Sequence, residues 1–578
     1  MNLTRRDYAV VGALVVVLIA MGGILSLRPR TVPEAAIADV TASPTLPPPV
    51  VYREGVVGTP ESVTPLSARN RAERSLVGLI FSGLTRMGPD NTLEPDLASS
   101  WKISDDGKTW TFHIREDAVW QDGEPVTSAD VLYTVNALKD PDSSGGRSSS
   151  WAEVETAAVD DKTVTFRLTT PVGGFLAATT QPLLPAHLLA DVPHADIATS
   201  EFARAPIGSG PYGLTELDAT KAVLVPATKL LPPLETQAPV IAASPDSLAT
   251  PIPSPSLPGL TPFIERIELS FFDDDAAAAE ALHDGSIDAV AGLAPEQAST
   301  ASAIPGVDRI RYPTTTLSTV LLNLRPNHPE LRDVRVRKAL LSSIDRQALV
   351  RDTLGGDGSV ADALVPPTSW AYDGEAAGVV PYDQAAAEKL LRDAGWAKVQ
   401  GTWRAPGKKE PYELQLLSVP ATANPRLASI AAAVRDAWTQ LGFKVTLVEK
   451  PAAELAADLR GGTFTASVLD IMMGLEPDLY PLLASSQVRN PGSNLSGFQD
   501  PKLDDLLEAA RKPAAQPDRV AAWKALLAGI GARIPMLPLA WGEESMFVDG
   551  VEGITPTLIG DTGDRYWDVL AWRLAADR

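Results

Sequence analysis

The chain has 578 residues, of which 45% are hydrophobic and 21% charged, the composition of a soluble protein with several domains. Its 72 acidic and 50 basic residues give a net charge of −22, which repels phosphate backbones and argues against nucleic-acid binding. Because cysteine is absent, disulfides, thiol nucleophiles, cysteine-ligated metal centres and a lipidated N-terminal cysteine are all excluded.

The first predicted element is a membrane span. Ala9–Leu27 is a stretch of 19 residues without a charge. A helix of that length spans about 28 Å, close to the hydrocarbon core of a bilayer, whereas a cleavable signal has about 7–15 apolar residues. We therefore predict that residues 1–30 are an uncleaved N-terminal anchor. A cleaved signal, ending at the small residues Ala36–Ala38, is the first alternative and a buried soluble helix the second.

Two proline-rich tracts follow. Residues 31–50 contain five prolines and no Lys or Arg, which predicts an extended stalk. Residues 228–262 contain nine prolines among Ser, Ala and Thr, which predicts a loosely held surface insertion within the folded region.

Strand patterns begin the folded region. Trp101–Ile103 and Thr109–Ile114 flank an Asp-Gly turn and predict a β-hairpin. Val154–Val159 and Thr163–Leu168 predict a second hairpin, and Phe443–Val448 a strand near the end of the chain.

Helix patterns alternate with these strands. Thr127 and Asp130 form a capping-box start, and Asp333 begins a predicted helix that continues through Leu349 to Gly355-Gly356. Asp273–Asp275 are better explained as a helix cap than as calcium ligands. Further helices are predicted at Tyr382–Ala394, Leu427–Leu441 and Leu503–Ala510. The whole pattern indicates an α/β or α+β protein with several lobes.

Catalytic and metal-binding motifs are missing from the sequence. Gly208-Ser209-Gly210 lacks the spacing of a nucleophile elbow, and Ser99–Lys102 fits a Ser-x-x-Lys pattern but lies in a predicted strand. The five histidines show no paired metal-ligand spacing. We therefore predict no catalytic residue, cofactor or metal; a hydrolase remains possible if scattered Ser, His and Asp residues converge in space.

A set of ordered blocks resembles family 5 of the extracellular solute-binding proteins, the oligopeptide-, dipeptide- and nickel-binding receptors of ABC importers. The longest block is Phe81–Pro141, which contains the run GLTRMGPDNTLEPDLASSWKISDDGKTWTFHIR. The others follow in the family's order along the chain: Leu183–Leu189 (LLPAHLL), Ala205–Tyr212 (APIGSGPY), Ala281–Val290 (ALHDGSIDAV), Arg335–Val350 (RVRKALLSSIDRQALV), Tyr382–Trp396 (YDQAAAEKLLRDAGW), Ser496–Leu507 (SGFQDPKLDDLL) and Arg533–Trp541 (RIPMLPLAW).

The resemblance implies the large periplasmic-binding-protein type of α/β fold, with two main lobes, an extra lobe and hinge closure over a cleft. The first lobe is expected to combine residues 51–86, 204–312 and 545–578. The extra lobe is expected at 87–203 and the opposing lobe at 313–544. In this scaffold Gly208–Tyr212 is expected to supply backbone conformations that other residues resist.

The chain departs from the family at two places. The Pro-rich insertion replaces an Asn-Pro-x-Tyr-Trp run that follows the family's crossover strand. The aspartate that pairs with a peptide's ammonium group has no clear equivalent, because the stretch around Glu476 and Asp478 is shortened. We therefore expect no strong capture of a free α-amine. The candidate ligand-binding residues are Trp151, Asn323, Trp370, Met472, Asp478, Tyr480 and Trp541, although core packing is an alternative role for the aromatic members.

These features predict a monomeric receptor that captures a peptide-like or other small solute and delivers it to the permease and ATPase subunits of an ABC importer. It would be held by Ala9–Leu27 at the cell surface or on the periplasmic side of the cytoplasmic membrane. The alternative is a surface-anchored solute or peptide sensor, or a holder, that is uncoupled from transport.

Overall fold

The fold of the chain is taken from a computed structural model, which describes residues 49–89, 92–143, 151–231, 262–489, 492–513 and 515–575. The predicted anchor, nearly all of the predicted stalk and most of the predicted insertion lie outside these ranges. Within them, every helix is too short or too polar to cross a membrane. The helices and strands of these ranges belong to one unit, which begins at Val50.

Strands and helices alternate along this unit. The strands are β1 (Val51–Val57), β2 (Thr85–Met87), β3 (Leu93–Pro95), β4 (Ala98–Ile103), β5 (Thr109–Ile114), β6 (Val154–Asp160), β7 (Thr163–Leu168), β8 (Tyr212–Leu217), β9 (Lys221–Pro226), β10 (Arg266–Phe272), β11 (Ala289–Ala291), β12 (Val307–Leu322), β13 (Gly358–Val360), β14 (Ala397–Val399), β15 (Thr402–Arg404), β16 (Glu413–Ser418), β17 (Lys444–Glu449), β18 (Ala466–Met472), β19 (Leu537–Asp549), β20 (Val551–Glu552) and β21 (Arg573–Leu574). The α-helices are α1 (Arg71–Ile80), α2 (Ser128–Lys139), α3 (Ala186–Leu189), α4 (Asp275–His283), α5 (Pro295–Ser302), α6 (Val334–Ser342), α7 (Arg346–Ala348), α8 (Gly374–Ala377), α9 (Gln384–Asp393), α10 (Pro425–Leu441), α11 (Ala452–Gly461), α12 (Tyr480–Leu483), α13 (Pro501–Arg511) and α14 (Gln516–Arg533).

Two long antiparallel strands, β12 and β19, lie at the centre of the largest sheet. The strand order is β17-β16-β18-β12-β19-β11-β1-β10-β9-β8, and β13 also pairs with β19. The register between β12 and β19 shifts between Pro313 and Leu317, where proline has no N–H to give to the ladder. On one side of the shift β11 pairs with β19 from Met546 to Val548, and on the other β18 pairs with β12 from Thr316 to Leu322. The strands therefore form one sheet, but the pairing of its two central strands changes register near the middle.

A separate four-stranded sheet has the order β4-β5-β7-β6. Both predicted hairpins are confirmed as β4–β5 and β6–β7. Alternate residues of β5 (Trp110, Phe112 and Ile114) are buried, as expected for a strand with one face on a core. The predicted helix start is confirmed in α2, where Asp130 accepts a hydrogen bond of 2.7 Å from the Thr127 backbone N–H.

The apolar core divides into clusters that follow these sheets. One cluster draws on buried residues between Leu317 and Trp541. A second surrounds β1, β10 and the chain end, from Tyr52 to Trp572, and a third lies under the four-stranded sheet, from Leu84 to Leu183. The three predicted helices of the later chain are confirmed as α9, α10 and α13, with Asp383, Asn424 and Asp500 as their caps.

The predicted single helix from Asp333 to Leu349 is wrong in its extent. Asp333 does cap α6, but α6 ends at Ser342. Asp345 then accepts a hydrogen bond of 2.9 Å from the Ala348 N–H and begins the short helix α7. An aspartate side chain that bonds to nearby backbone N–H groups competes with the continuing helix, so the chain turns here. Gly355 and Gly356 end the segment with positive φ angles, as predicted.

The expected role of Gly208–Tyr212 also needs correction. Neither Gly208 nor Gly210 has a positive φ. A Cβ at either position would instead overlap the backbone of Ile80, at the end of α1. The Gln121 side chain joins the two segments that meet here. It accepts a hydrogen bond from the Gly208 N–H at 2.8 Å and donates to the carbonyls of Ile80 and Tyr212. The motif is therefore required for close backbone approach rather than for an unusual conformation.

Candidate functional site

A cavity among the described residues has a volume of about 880 Å³. One wall comes from residues 65–182 and 560–564, and the other from residues 472–523. A smaller cavity of about 250 Å³ adjoins it. Their shared lining residues are Gly78, Thr180, Pro182, Leu475, Gly563 and Asp564. The two spaces together form a site whose walls come from distant parts of the chain.

The two walls touch at a pair of glycines. Gly173 packs so closely that a Cβ on it would overlap the carbonyl oxygen of Pro513. A Cβ on Gly174 would lie 2.8 Å from Cγ of Glu476. Leu475 and Gly560 form a second contact between the walls. Cγ of Leu475 lies 3.5 Å from the position that a Cβ on Gly560 would take. The two walls of the cavity are therefore in direct contact with each other.

Glu476 is held by an arginine and a tryptophan on the second wall. Its carboxylate pairs with the guanidinium of Arg519, and its Oε1 accepts a hydrogen bond of 3.0 Å from Trp370 Nε1. The Arg519 guanidinium also lies 4.2 Å from the centroid of the Trp370 ring. Burial lowers the pKa of Arg519 to about 10, and the side chain stays protonated at neutral pH.

Asp478, like Glu476, pairs with an arginine that lies over an aromatic ring. Its Oδ2 lies 3.1 Å from Arg511 Nη2, and its Oδ1 accepts a hydrogen bond of 3.0 Å from the Tyr480 backbone N–H. Arg511 lies over the Tyr480 ring, with Cζ 4.7 Å from the ring centroid. Both carboxylates that could have replaced the family's ammonium-binding aspartate are therefore already paired within the protein.

The opposite wall carries two aspartates at the start of the final 3₁₀ helix, which spans Thr562–Ala571. Asp564 Oδ2 accepts hydrogen bonds from the Gly560 and Asp561 N–H groups at 2.8 and 3.1 Å. Burial, with the Asp561 carboxylate adding to it, raises the pKa of Asp564 to about 7. Burial also raises the pKa of Asp561. Burial on this wall therefore favours the protonated form of the Asp564 carboxyl group.

The raised pKa of Asp564 predicts a specific pH dependence of stability. A carboxyl group with a raised folded-state pKa stabilises the fold at low pH, where it is protonated. That stabilisation is lost as the pH rises from the unfolded pKa, about 4, through the folded pKa. We expect Asp564→Asn to lose less Tm between pH 5 and pH 8 than the wild type does. Thermal melts at a series of pH values measure this, and parallel curves for the two proteins would contradict it.

Three of the predicted ligand-binding residues line the large cavity: Trp151, Met472 and Asp478. Met472 is 66% exposed, whereas Trp151 is mostly buried against Phe166 and Phe175. Trp370 and Tyr480 lie beside the cavity and contact it through Arg519 and Arg511.

Asn323 and Trp541, which were also predicted as ligand contacts, lie outside the lining of this cavity. Asn323 is fully buried, and its amide donates to the carbonyls of Gly462 and Phe464 at 3.0 and 2.8 Å. Trp541 is 1% exposed in the core beside the register shift of β12 and β19. Both side chains hold the centre of the large sheet.

Sequence reasoning missed Arg511, Arg519 and Asp564. The helix that ends at Arg511 was predicted, but its amphipathic pattern does not show which surface residue meets the cavity. Among the described residues, no group of three or more His, Asp or Glu side chains is arranged to hold a metal ion. Charged and apolar side chains line both walls of the cavity, an arrangement that suits binding.

Comparison with known proteins agrees with this geometry. The family model "Bacterial extracellular solute-binding proteins, family 5 Middle" matches residues 92–491. Protein XP55 of Streptomyces lividans is 28% identical over 487 residues, covering 82% of this chain and 81% of that protein. The oligopeptide-binding protein AppA of Bacillus subtilis is 26% identical over 468 residues, covering 79% and 80%.

A solved structure supports the fold. HbpA2 from Haemophilus parasuis superposes with a TM-score of 0.73 at 20% identity, covering 91% of this chain and 99% of that one. The fold is therefore the α/β periplasmic-binding-protein type. Members of the matched family are binding receptors rather than enzymes. This chain belongs to family 5 of the bacterial extracellular solute-binding proteins.

Proposed function

We propose that the 880 Å³ cavity is the solute site of a substrate-binding receptor that serves an ABC importer. The observation that carries this is a cavity of this size whose walls come from opposite sides of the β12–β19 register shift. A ligand that contacts both walls shifts an open form toward a closed one, and a permease can distinguish the two.

The proposed lobes keep the boundaries expected from the family. Residues 51–86, 204–312 and 545–578 form the first lobe, 87–203 the extra lobe and 313–544 the opposing lobe. The break at Pro313 and the cluster confined to Leu317–Trp541 support the boundary of the opposing lobe. The β4-β5-β7-β6 sheet, with a cluster of its own, supports the extra lobe.

The proposed ligand is peptide-like or another small solute. Several relatives are named as peptide-binding proteins, and the cavity has room for an extended molecule. Trp151, Met472 and Asp478 are the proposed contacts among the predicted residues, because they line the cavity. Trp370 and Tyr480 position the arginines of the wall.

The test is native mass spectrometry of protein purified without added ligand, followed by small-angle scattering. We expect a co-purified solute and a smaller radius of gyration in its presence than after its removal. A protein that binds no solute and keeps one radius of gyration in all conditions would contradict the receptor function.

The paired carboxylates predict little preference for free amines. Glu476 and Asp478 already pair with Arg519 and Arg511, so an incoming ammonium group must compete with a guanidinium. We expect a peptide with a free α-amine to bind less than about tenfold tighter than its N-acetylated analogue, about 1.4 kcal/mol. Paired titrations of a small peptide library measure this. A strong preference for free amines that Glu476→Gln abolishes would contradict the prediction.

We also propose that Ala9–Leu27, which lies outside the described residues, anchors the receptor on the outer face of the cytoplasmic membrane. The uncharged stretch of 19 residues supports the proposal. We expect residues 1–30 to remain on protein from the membrane fraction. N-terminal sequencing measures this, and a mature chain that begins near Asp39 would contradict it.

A further inference from the structure

Arg511 presents hydrogen-bond donors that the described part of the protein does not use. A guanidinium has five N–H donors. Among the described residues, the ion pair of Arg511 is the contact of 3.1 Å between Nη2 and Asp478 Oδ2. Its Nε is buried and has no hydrogen-bond partner in the described ranges. Arg519 differs, because both Glu476 and Gln516 accept hydrogen bonds from it.

The position of Arg511 is held from two sides. It is the last residue of α13, and its guanidinium lies over the Tyr480 ring, 4.7 Å from the centroid. Tyr480 is held in turn by its backbone bond to Asp478 and by a hydrogen bond of 3.1 Å between its hydroxyl and Ser486 Oγ. The Arg511 side chain lines the large cavity and is 33% exposed. A guanidinium with a fixed plane and unused donors is preorganised for a planar anion.

We propose that Arg511 binds a carboxylate group of the captured solute, an inference that rests on the proposed receptor function. Asp478, 36% exposed, contacts the guanidinium through one oxygen at Nη2, so this ion pair leaves part of the guanidinium unoccupied. The second wall of the cavity then recognises an anionic group of the solute. The carboxylate belongs either to a peptide C-terminus or to a non-peptide organic acid.

The experiment compares three sets of probes by Trp fluorescence titration. They are N-acetylated tripeptides with free C-terminal carboxylates, the same peptides as C-terminal amides, and non-peptide mono- and dicarboxylic acids. Arg511→Gln is the test variant. Arg435→Gln is its matched control, because Arg435 is a surface arginine that also pairs with an aspartate, Asp436, and lies outside the cavity lining.

We expect at least one acid to bind about 10- to 100-fold tighter than its amide. Arg511→Gln should remove that difference, and Arg435→Gln should keep it. Asp478→Asn is expected to bind the acid tighter than the wild type does, since it removes the carboxylate that competes for Arg511. Stronger binding of the peptide acids identifies a peptide C-terminus as the source, and stronger binding of the other acids identifies an organic acid.

Amides that bind as tightly as acids, an Arg511→Gln variant with unchanged affinity, or a failure of every carboxylate probe to bind would overturn the inference. A co-purified neutral solute retained equally by the wild type and Arg511→Gln would overturn it while leaving the receptor function intact. The receptor function fails separately, if no solute changes the radius of gyration of either protein.

Discussion

Replacing Gly173 with valine is expected to hold the cavity walls apart and to weaken solute binding about 10- to 100-fold. A Cβ at this position would overlap the Pro513 carbonyl oxygen and lie 3.0 Å from its carbon. Both atoms belong to the backbone and cannot rotate away. Because the contact joins the proposed extra lobe to the proposed opposing lobe, opening the cleft relieves the overlap at a lower cost than unfolding either core.

Titration with the co-purified solute and small-angle scattering together measure this effect. The wild type should become more compact with solute, and Gly173→Val should not, while its Tm stays within about 3 °C of the wild type. Gly461→Ala is the matched control, because a Cβ there would meet Thr463 at an ordinary 3.8 Å. Undiminished compaction of Gly173→Val would show that the glycine contact is not needed for closure.

Replacing Arg565 with methionine is expected to destabilise the protein by about 3–5 kcal/mol. Arg565 and Glu54 are both fully buried and pair through Nη2 and Oε1 at 2.6 Å. Tyr52 and Tyr566 also donate to Glu54 Oε2, at 2.7 and 2.9 Å. Without the arginine, a carboxylate is left in the core with no compensating charge.

Urea denaturation measures the change in the free energy of unfolding. The double variant Glu54→Leu with Arg565→Met should recover most of the loss, because it leaves no unpaired charge. Lys389→Ala is a control, since it breaks an ion pair with Asp393 that is largely exposed to solvent. A loss below about 1 kcal/mol for Arg565→Met would contradict the assignment of this pair as an essential part of the core.

The elements that could be predicted from the sequence are those specified by short-range chemistry. The hairpins around residues 104–108 and 160–162 depend on turn residues between alternating strands. The starts of α2 and α13 depend on caps within three residues of the first helical turn. The helix break at Asp345 also depends on a local cap. It was not predicted, because the apolar stripe of the sequence continues through this position.

The candidate site was predicted less well because its residues meet only through long-range contacts. Met472 and Asp478 line the cavity, and both lie in the segment that departs from the family pattern. Asn323 and Trp541 lie outside its lining, because their burial depends on the neighbours that β12 and β19 acquire in the sheet.

The local secondary structure and the family can therefore be predicted from the sequence, because capping, turn geometry and the succession of motifs involve residues near one another in sequence. The charge pattern of the cleft cannot be predicted in this way. Glu476 and Arg519 lie 43 residues apart, and Asp478 meets Arg511 only after α13 and α14 pack beside the loop that follows β18. The sequence shows no clear equivalent of the family's ammonium-binding aspartate. The tertiary structure decides that the nearby carboxylates of Glu476 and Asp478 are paired with arginines, because ion pairing depends on distance in space and not on position along the chain.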